Sequence, residues 1–156
     1  MPAMDTSRPA TQRSHEEPFV RQFSIFLPNR VGQLSELLGL LEEAQVEVAG
    51  ISVVDSTDWG VVRTIFTEPG KARAVLKRHG IAFTECQVLA AVVAEPQTLR
   101  RLCQALVSAE LNVQFAYPLL LRRQGQPVLV LHVDDPVVAC QVLAKHGFTL
   151  LDHEDV

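Results

Sequence analysis

The stretch Leu27-Pro28-Asn29-Arg30-Val31-Gly32-Gln33-Leu34 gathers residue types suited to holding a small anion. Gly32 admits close backbone approach and φ/ψ values that side chains forbid. It precedes leucines at helical spacing, so the unbonded N–H groups of a helix's first turn, at the positive dipole end, lie beside it and suit a carboxylate. Gly32 serves equally as a tight turn. Asn29 both donates and accepts hydrogen bonds, so it can orient a ligand or cap the helix. Arg30 can pair with a carboxylate or stand as a solvated loop cation.

Other candidates read more plainly. His79 and His146 fall in last helical turns, where a histidine suits the negative helix end. His132 reads as a satisfied core histidine, and Trp59 beside Gly60 as a hairpin plug, with a ligand lid as the alternative. Asp55 and Asp58 read as turn residues. Arg63, mid-strand among apolar residues, reads as an interface residue and a weaker site candidate. No Ser/His/Asp or Cys/His arrangement, paired carboxylate or metal-ligand spacing stands out. The expectation is therefore a non-enzyme with no catalytic residue, no metal and no cofactor.

Composition narrows the classes further. The 156 residues carry 47% hydrophobic residues, enough for a packed core. Net charge is −4, against the basic excess of a general nucleic-acid binder. Apolar runs such as Val88–Ala94 fall far short of the ~18 residues of a membrane span. The three cysteines are scattered, neither a disulfide framework nor a CxxC site, which points to a reducing cytoplasm. The N-terminus lacks the apolar stretch of a signal peptide.

These residues need a scaffold, and the pattern supplies one. Residues 1–18 are polar and read as a disordered tail. Phe19, Phe23, Ile25 and Leu27 alternate with Gln22 and Ser24, predicting a strand. Leu34, Leu37, Leu38 and Leu41 form one face of a helix. Val46–Val54 and Val61–Phe66 read as strands, joined by Ser56-Thr57-Asp58-Trp59-Gly60. A second helix starts at Glu68-Pro69, with Ala72, Val75 and Leu76 inward, and stops at Gly80. Ala82–Val93 is long and largely extended.

The second half repeats the first. Leu34-x-x-Leu37 and Ala44-x-Val46-x-Val48 recur as Leu99-x-x-Leu102 and Ala109-x-Leu111-x-Val113, at an offset of 65. Glu68-Pro69-x-x-Ala72 and Val75-Leu76-x-x-His79-Gly80 recur as Asp135-Pro136-x-x-Ala139 and Val142-Leu143-x-x-His146-Gly147, at an offset of 67. The two extra residues fall near Arg122–Gln126. The repeated helix faces are Leu99, Leu102, Cys103 and Leu106, then Ala139, Val142, Leu143 and His146. The fold class expected is α+β: two ferredoxin-like βαββαβ units, with antiparallel sheets and helices on one face. The domains are residues 19–87 and 88–156. Each unit alone has a thin core and needs a partner.

The turn at Asn29–Gly32, the leucine helix and the Ala44–Val48 entry to strand two together resemble the ACT domain, a small-molecule-binding regulatory module. Ile51–Arg63 and Gly125–Pro136 further resemble a stand-alone bacterial family of tandem ACT proteins. The resemblance spans residues 19–154, nearly the whole ordered chain. Val31 replaces the loop proline, and in repeat two Val93–Leu99 has no glycine. The resemblance implies a small-molecule amino-acid ligand at Asn29, Arg30, Val31, Gly32, Gln33 and Leu34. In the resembling serine-sensing domains of phosphoglycerate dehydrogenases, a second asparagine at the start of strand two reaches the neighbouring unit's loop. Glu47 and Asn112 hold that position here. If the repeats pair side by side, Asn29 and Asn112 converge, giving one competent site per chain. The twin site would pair the Glu95-Pro96 turn with Glu47. Val31 and Leu34 lean towards an aliphatic amino acid.

The function expected is a cytoplasmic, non-enzymatic regulatory protein that binds an amino acid. It works as a homodimer with neither nucleic acid nor membrane as partner. The alternative is a ligand-free dimerisation or protein-interaction module.

Overall fold

Alternating and helical hydrophobic patterns interleave along the chain, and a computed structural model shows how they pack. It describes residues 18–156. The expected tail, apart from Pro18, lies outside the described residues. The elements run β1 (Val20–Pro28), α1 (Gln33–Glu43), β2 (Val48–Asp55), β3 (Trp59–Phe66), α2 (Pro69–Arg78), β4 (Phe83–Val92), α3 (Thr98–Ser108), β5 (Val113–Pro118), β6 (Val128–Val133) and α4 (Pro136–Lys145). A 3₁₀ turn, His153–Asp155, closes the described chain.

The six strands form one antiparallel sheet in the order β2-β3-β1-β4-β6-β5. The two repeats therefore share a strand. Phe83–Val88 of β4 pairs with β1, and Leu89–Val92 pairs with β6. Ten residues of extended chain suffice for two partners in succession. The expected boundary between residues 87 and 88 lies inside this strand. The fourth strand of the second unit shrinks to one bridge, Ala91↔Leu150. Asp152 stops it by starting the 3₁₀ turn, its carboxylate accepting from the N–H groups of Glu154 and Asp155.

Both pairs of helices cover the same face. Phe23, Ile25, Leu27, Val62 and Phe66 pack against Leu37 and Leu41 of α1 and Ala72, Val75 and Leu76 of α2. Leu89, Ala91, Leu131 and Val133 pack against α3 and α4. Along β4, Phe83, Leu89 and Ala91 all point to the helices, as a period of two demands. The other face is not left to water. The sheet curls until its edges meet at Gly50↔Leu119, where the Leu120 N–H donates to the Ala49 carbonyl at 2.8 Å. Val20, Ala49, Ile65, Val88, Ala90, Tyr117, Val128, Val130 and Leu151 form a second core inside that curve.

The helix ends follow the repeat. Pro69 and Pro136 open α2 and α4, and His79 and His146 close them. His146 Nδ1 donates to the Val142 carbonyl at 2.8 Å. Gly80 and Gly147 follow at φ +65° and +82°, the left-handed values a helix stop requires. One expectation needs correction. The buried stripe of α3 is Leu102, Ala105 and Leu106, while Leu99 is 48% exposed and Cys103 is exposed. A single buried helix face takes the i, i+3, i+4 set centred on Ala105, and leaves Leu99 and Cys103 at its margin.

Candidate functional site

Proline ends β1, because Pro28 cannot donate to a further ladder bond. The chain then turns within four residues. The Arg30 N–H donates to the Pro28 carbonyl at 2.8 Å, and the Gln33 N–H to the Arg30 carbonyl at 3.3 Å. Gly32 stands just before α1 at φ +90°, a conformation that glycine enters without strain. No side chain caps the helix there.

Asn29 ties this turn to the neighbouring hairpin. Its Nδ2 donates to the Ser56 carbonyl at 3.3 Å, and its backbone N–H to the Asp58 carbonyl at 3.4 Å. Arg30 and Val31 are exposed, Val31 fully so, and Leu34 is half-buried against the first core. Gln33 Nε2 reaches Glu36 Oε2 at 3.4 Å.

Beside this turn opens a cavity of about 460 Å³. Its floor is apolar: Phe26, Leu27, Leu37, Leu40 and Ile81. Gln33, Glu36 and His79 bring polar groups to its wall, and Trp59 stands at its rim, 51% exposed. Trp59 therefore lines a cavity rather than plugging a hairpin. Of the residues singled out in the loop, Gln33 lines this space. Glu36, one helical turn on, was missed, although its i, i+3 spacing from Gln33 places both on one face.

Asn112 is held elsewhere. Its backbone N–H donates to Asp134 Oδ1 at 3.0 Å and its carbonyl accepts from the Asp134 N–H at 3.3 Å. Strands β4 and β6 separate β5 from β1 in the sheet order. Among the described residues, no hydrogen bond or ion pair joins Asn112 to the β1–α1 turn.

The second repeat keeps a smaller cavity of about 260 Å³ in the equivalent place. It is lined by Arg101, Gln104, Ala105, Ser108, His146 and Phe148, so neither the Glu95-Pro96 turn nor Glu47 contributes. Arg101 occupies the position of Glu36, and its guanidinium lies 5.4 Å from the Phe148 ring centre. The repeats thus present cavities of opposite charge. Among the described residues, no group of three or more His, Cys, Asp and Glu is placed to hold a metal, and no helix is long and apolar enough to cross a membrane.

The family model of the ACT domain pair matches residues 19–156. Among solved structures, protein BT0572 from Bacteroides thetaiotaomicron is similar with a TM-score of 0.79 at 22% identity, over 88% of this chain and 94% of that one. The ligand-free regulatory subunit of aspartate kinase from Thermus thermophilus gives 0.56 at 12% identity, over 83% and 93%. The corresponding subunit from Thermus flavus gives 0.53 at 14%, over 83% and 93%. At these identities the likeness is one of fold. A search of curated proteins returns no match.

Proposed function

Because the chain belongs to the ACT domain pair family, we propose that it is a non-enzymatic regulatory protein that binds an amino acid in the cavity beside the β1–α1 turn. The observation that carries this reading is the cavity itself. Its volume of about 460 Å³ falls within the range of small-molecule sites, and an apolar floor faces a few polar groups at its wall. Glu36 is suited to the ligand's ammonium group, and the Gln33 amide with the first-turn N–H groups of α1 to its carboxylate. Leu37, Leu40 and Ile81 suit an aliphatic side chain. Asn29 and Gly32 set the shape of the turn, Arg30 lends positive charge beside it, and Val31 and Leu34 flank it. Asn112 has no part in this reading.

Ligand binding shifts the population of β1–α1 turn conformations. In this reading the protein works in the cytoplasm as a homodimer and passes that shift to the paired subunit. The full exposure of Val31 and the half exposure of Trp59 favour a second reading, in which this end of the molecule is a ligand-free interaction surface.

A thermal-shift screen with the twenty amino acids separates the two, since a specific ligand raises the unfolding midpoint by mass action. At about 100 Kd, one aliphatic amino acid stabilises the fold by about 2.7 kcal/mol, and Glu36→Gln abolishes the effect. No response to any amino acid at millimolar concentration leaves the second reading.

A further inference from the structure

Arg63 lies in the middle of β3, on the concave face away from the helices. It is half-buried, and its guanidinium carbon sits 3.9 Å from the centre of the Phe115 ring. Among the described residues, no hydrogen bond or ion pair engages this guanidinium. Its donors are thus unclaimed by the protein, although a half-buried cation normally has a partner.

Its surroundings are built from donors. The strand register places Ser52, Arg63, Ser24 and Thr84 in one row across β2, β3, β1 and β4, all on the same face. In the next row, Tyr117 donates its hydroxyl to Gln22 Oε1 at 2.7 Å. That bond fixes the amide so that Nε2 points to Ser24 Oγ and Cys86 Sγ, at 3.4 and 3.6 Å. His132 stacks on Phe115 at 5.0 Å with its Nδ1 on Gln114 Oε1 at 2.6 Å. Phe115 therefore carries both the guanidinium and the imidazole.

The row of Arg63 contributes no carboxylate of its own. Glu85, the acid of β4, points to the helices and pairs with Arg73 at 2.6 Å. Burial first, and then the positive charge of Arg63, hold the His132 imidazole below its ordinary value.

We propose that this concave face is a second ligand site, in which the guanidinium of Arg63, backed by Phe115, takes the carboxylate of a small organic acid. Ser24 and Ser52, the register neighbours of Arg63, supply hydroxyl donors on either side. A planar guanidinium matches a carboxylate with two parallel hydrogen bonds, which favours a carboxylate over a simple halide. Edge strands β2 and β5 give the ligand access, since they join only near Gly50 and Leu119 and leave Val54 41% exposed. This site is separate from the cavity beside Trp59 and stands whether or not that cavity binds an amino acid.

Two-dimensional NMR of the full chain tests the assignment, with acetate and succinate as probes and sodium chloride at matched ionic strength as control. Saturable shifts of the Arg63 Nε–H and the His132 ring are expected with the carboxylates and not with chloride. Arg63→Gln weakens binding at least about tenfold, as loss of a charge-assisted pair requires, while Arg100→Gln on the exposed surface of α3 leaves it unchanged. Arg63→Lys, which keeps the charge and loses the two-pronged geometry, falls between them. The wild-type titration stands without any variant. No saturable shift at about 50 mM probe, far beyond specific affinities, overturns the proposal. So does a folded Arg63→Gln protein that binds as the wild type does.

Discussion

Gln22 shows what a single residue's chemistry contributes to this fold. It is 1% exposed, and its Oε1 accepts from the Tyr117 hydroxyl, itself 5% exposed. Burial pushes the Tyr117 phenol well above its ordinary range, so the hydroxyl stays protonated and donating at every working pH. Tyr117→Phe removes the donor and leaves Gln22 buried with an unmatched oxygen. The expected loss is about 1–3 kcal/mol in urea unfolding, the cost of a buried unsatisfied acceptor. Gln22→Leu in the same background recovers part of it, because removing both partners removes the mismatch. The sequence could not show this pair. Alternation of Phe23, Ile25 and Leu27 with Gln22 and Ser24 marks one buried face. The second buried face exists because Tyr117, 95 residues away in the chain, folds over the first repeat. Glu36 was missed for a different reason: a charged residue on an amphipathic helix looks like solvated surface until the cavity beside it is seen.

At the scale of elements, the repeat was legible because both copies keep the same order of turns, prolines and helix stops. The residues that begin and end the helices need only local chemistry, so Pro69, Pro136, Gly80 and Gly147 announce themselves. The sharing of β4 was hidden, because pairing depends on which strands lie beside a segment and not on the segment's own residues. Closure of the sheet was hidden as well, although Gly50 marks it. A Cβ at Gly50 falls 2.7 Å from Leu119 Cδ2 and 3.5 Å from Ile65 and Tyr117. Gly50→Ala asks only for a new Leu119 rotamer. Gly50→Val drives a branched side chain into the same gap and forces β2 away from β5. The expected cost is about 1–3 kcal/mol for the valine and less for the alanine, read by urea unfolding. Faster amide hydrogen exchange at Leu120, whose N–H bonds Ala49 across the closure, locates the damage. Equal stability of all three proteins removes the closure from the account.

Across the whole molecule, the chain end straps the two repeats together and ties stability to pH. Leu151 sits in the concave core, its N–H on the Ala90 carbonyl at 2.8 Å, and Arg123 meets Asp155 at 3.5 Å. Next to it, His153 Nδ1 accepts from the Arg21 N–H at 3.4 Å, which leaves the proton on a buried Nε2 with no partner. Burial first, then the charge of Arg21, lowers the His153 value below 6.5, and His132 is lowered in the same sense. The unfolded chain therefore takes up these protons before the folded one does. Stability is full above about 6.5, declines as pH falls below it, and levels off once the folded imidazoles also titrate. A second decline follows from Glu85, whose hydrogen bond with Arg73 holds its carboxyl below 4.5. That contribution is present above 4.5 and is lost as pH falls through the folded value. Urea unfolding between pH 7.5 and 3.5 is thus expected to show two descending steps. His153→Asn, whose carbonyl can still accept the Arg21 N–H, flattens the upper step in part, with His132 supplying the remainder. Glu85→Gln removes the lower step and leaves the upper one in place. A profile level from pH 7.5 to 5 means that the strap carries no proton-linked strain.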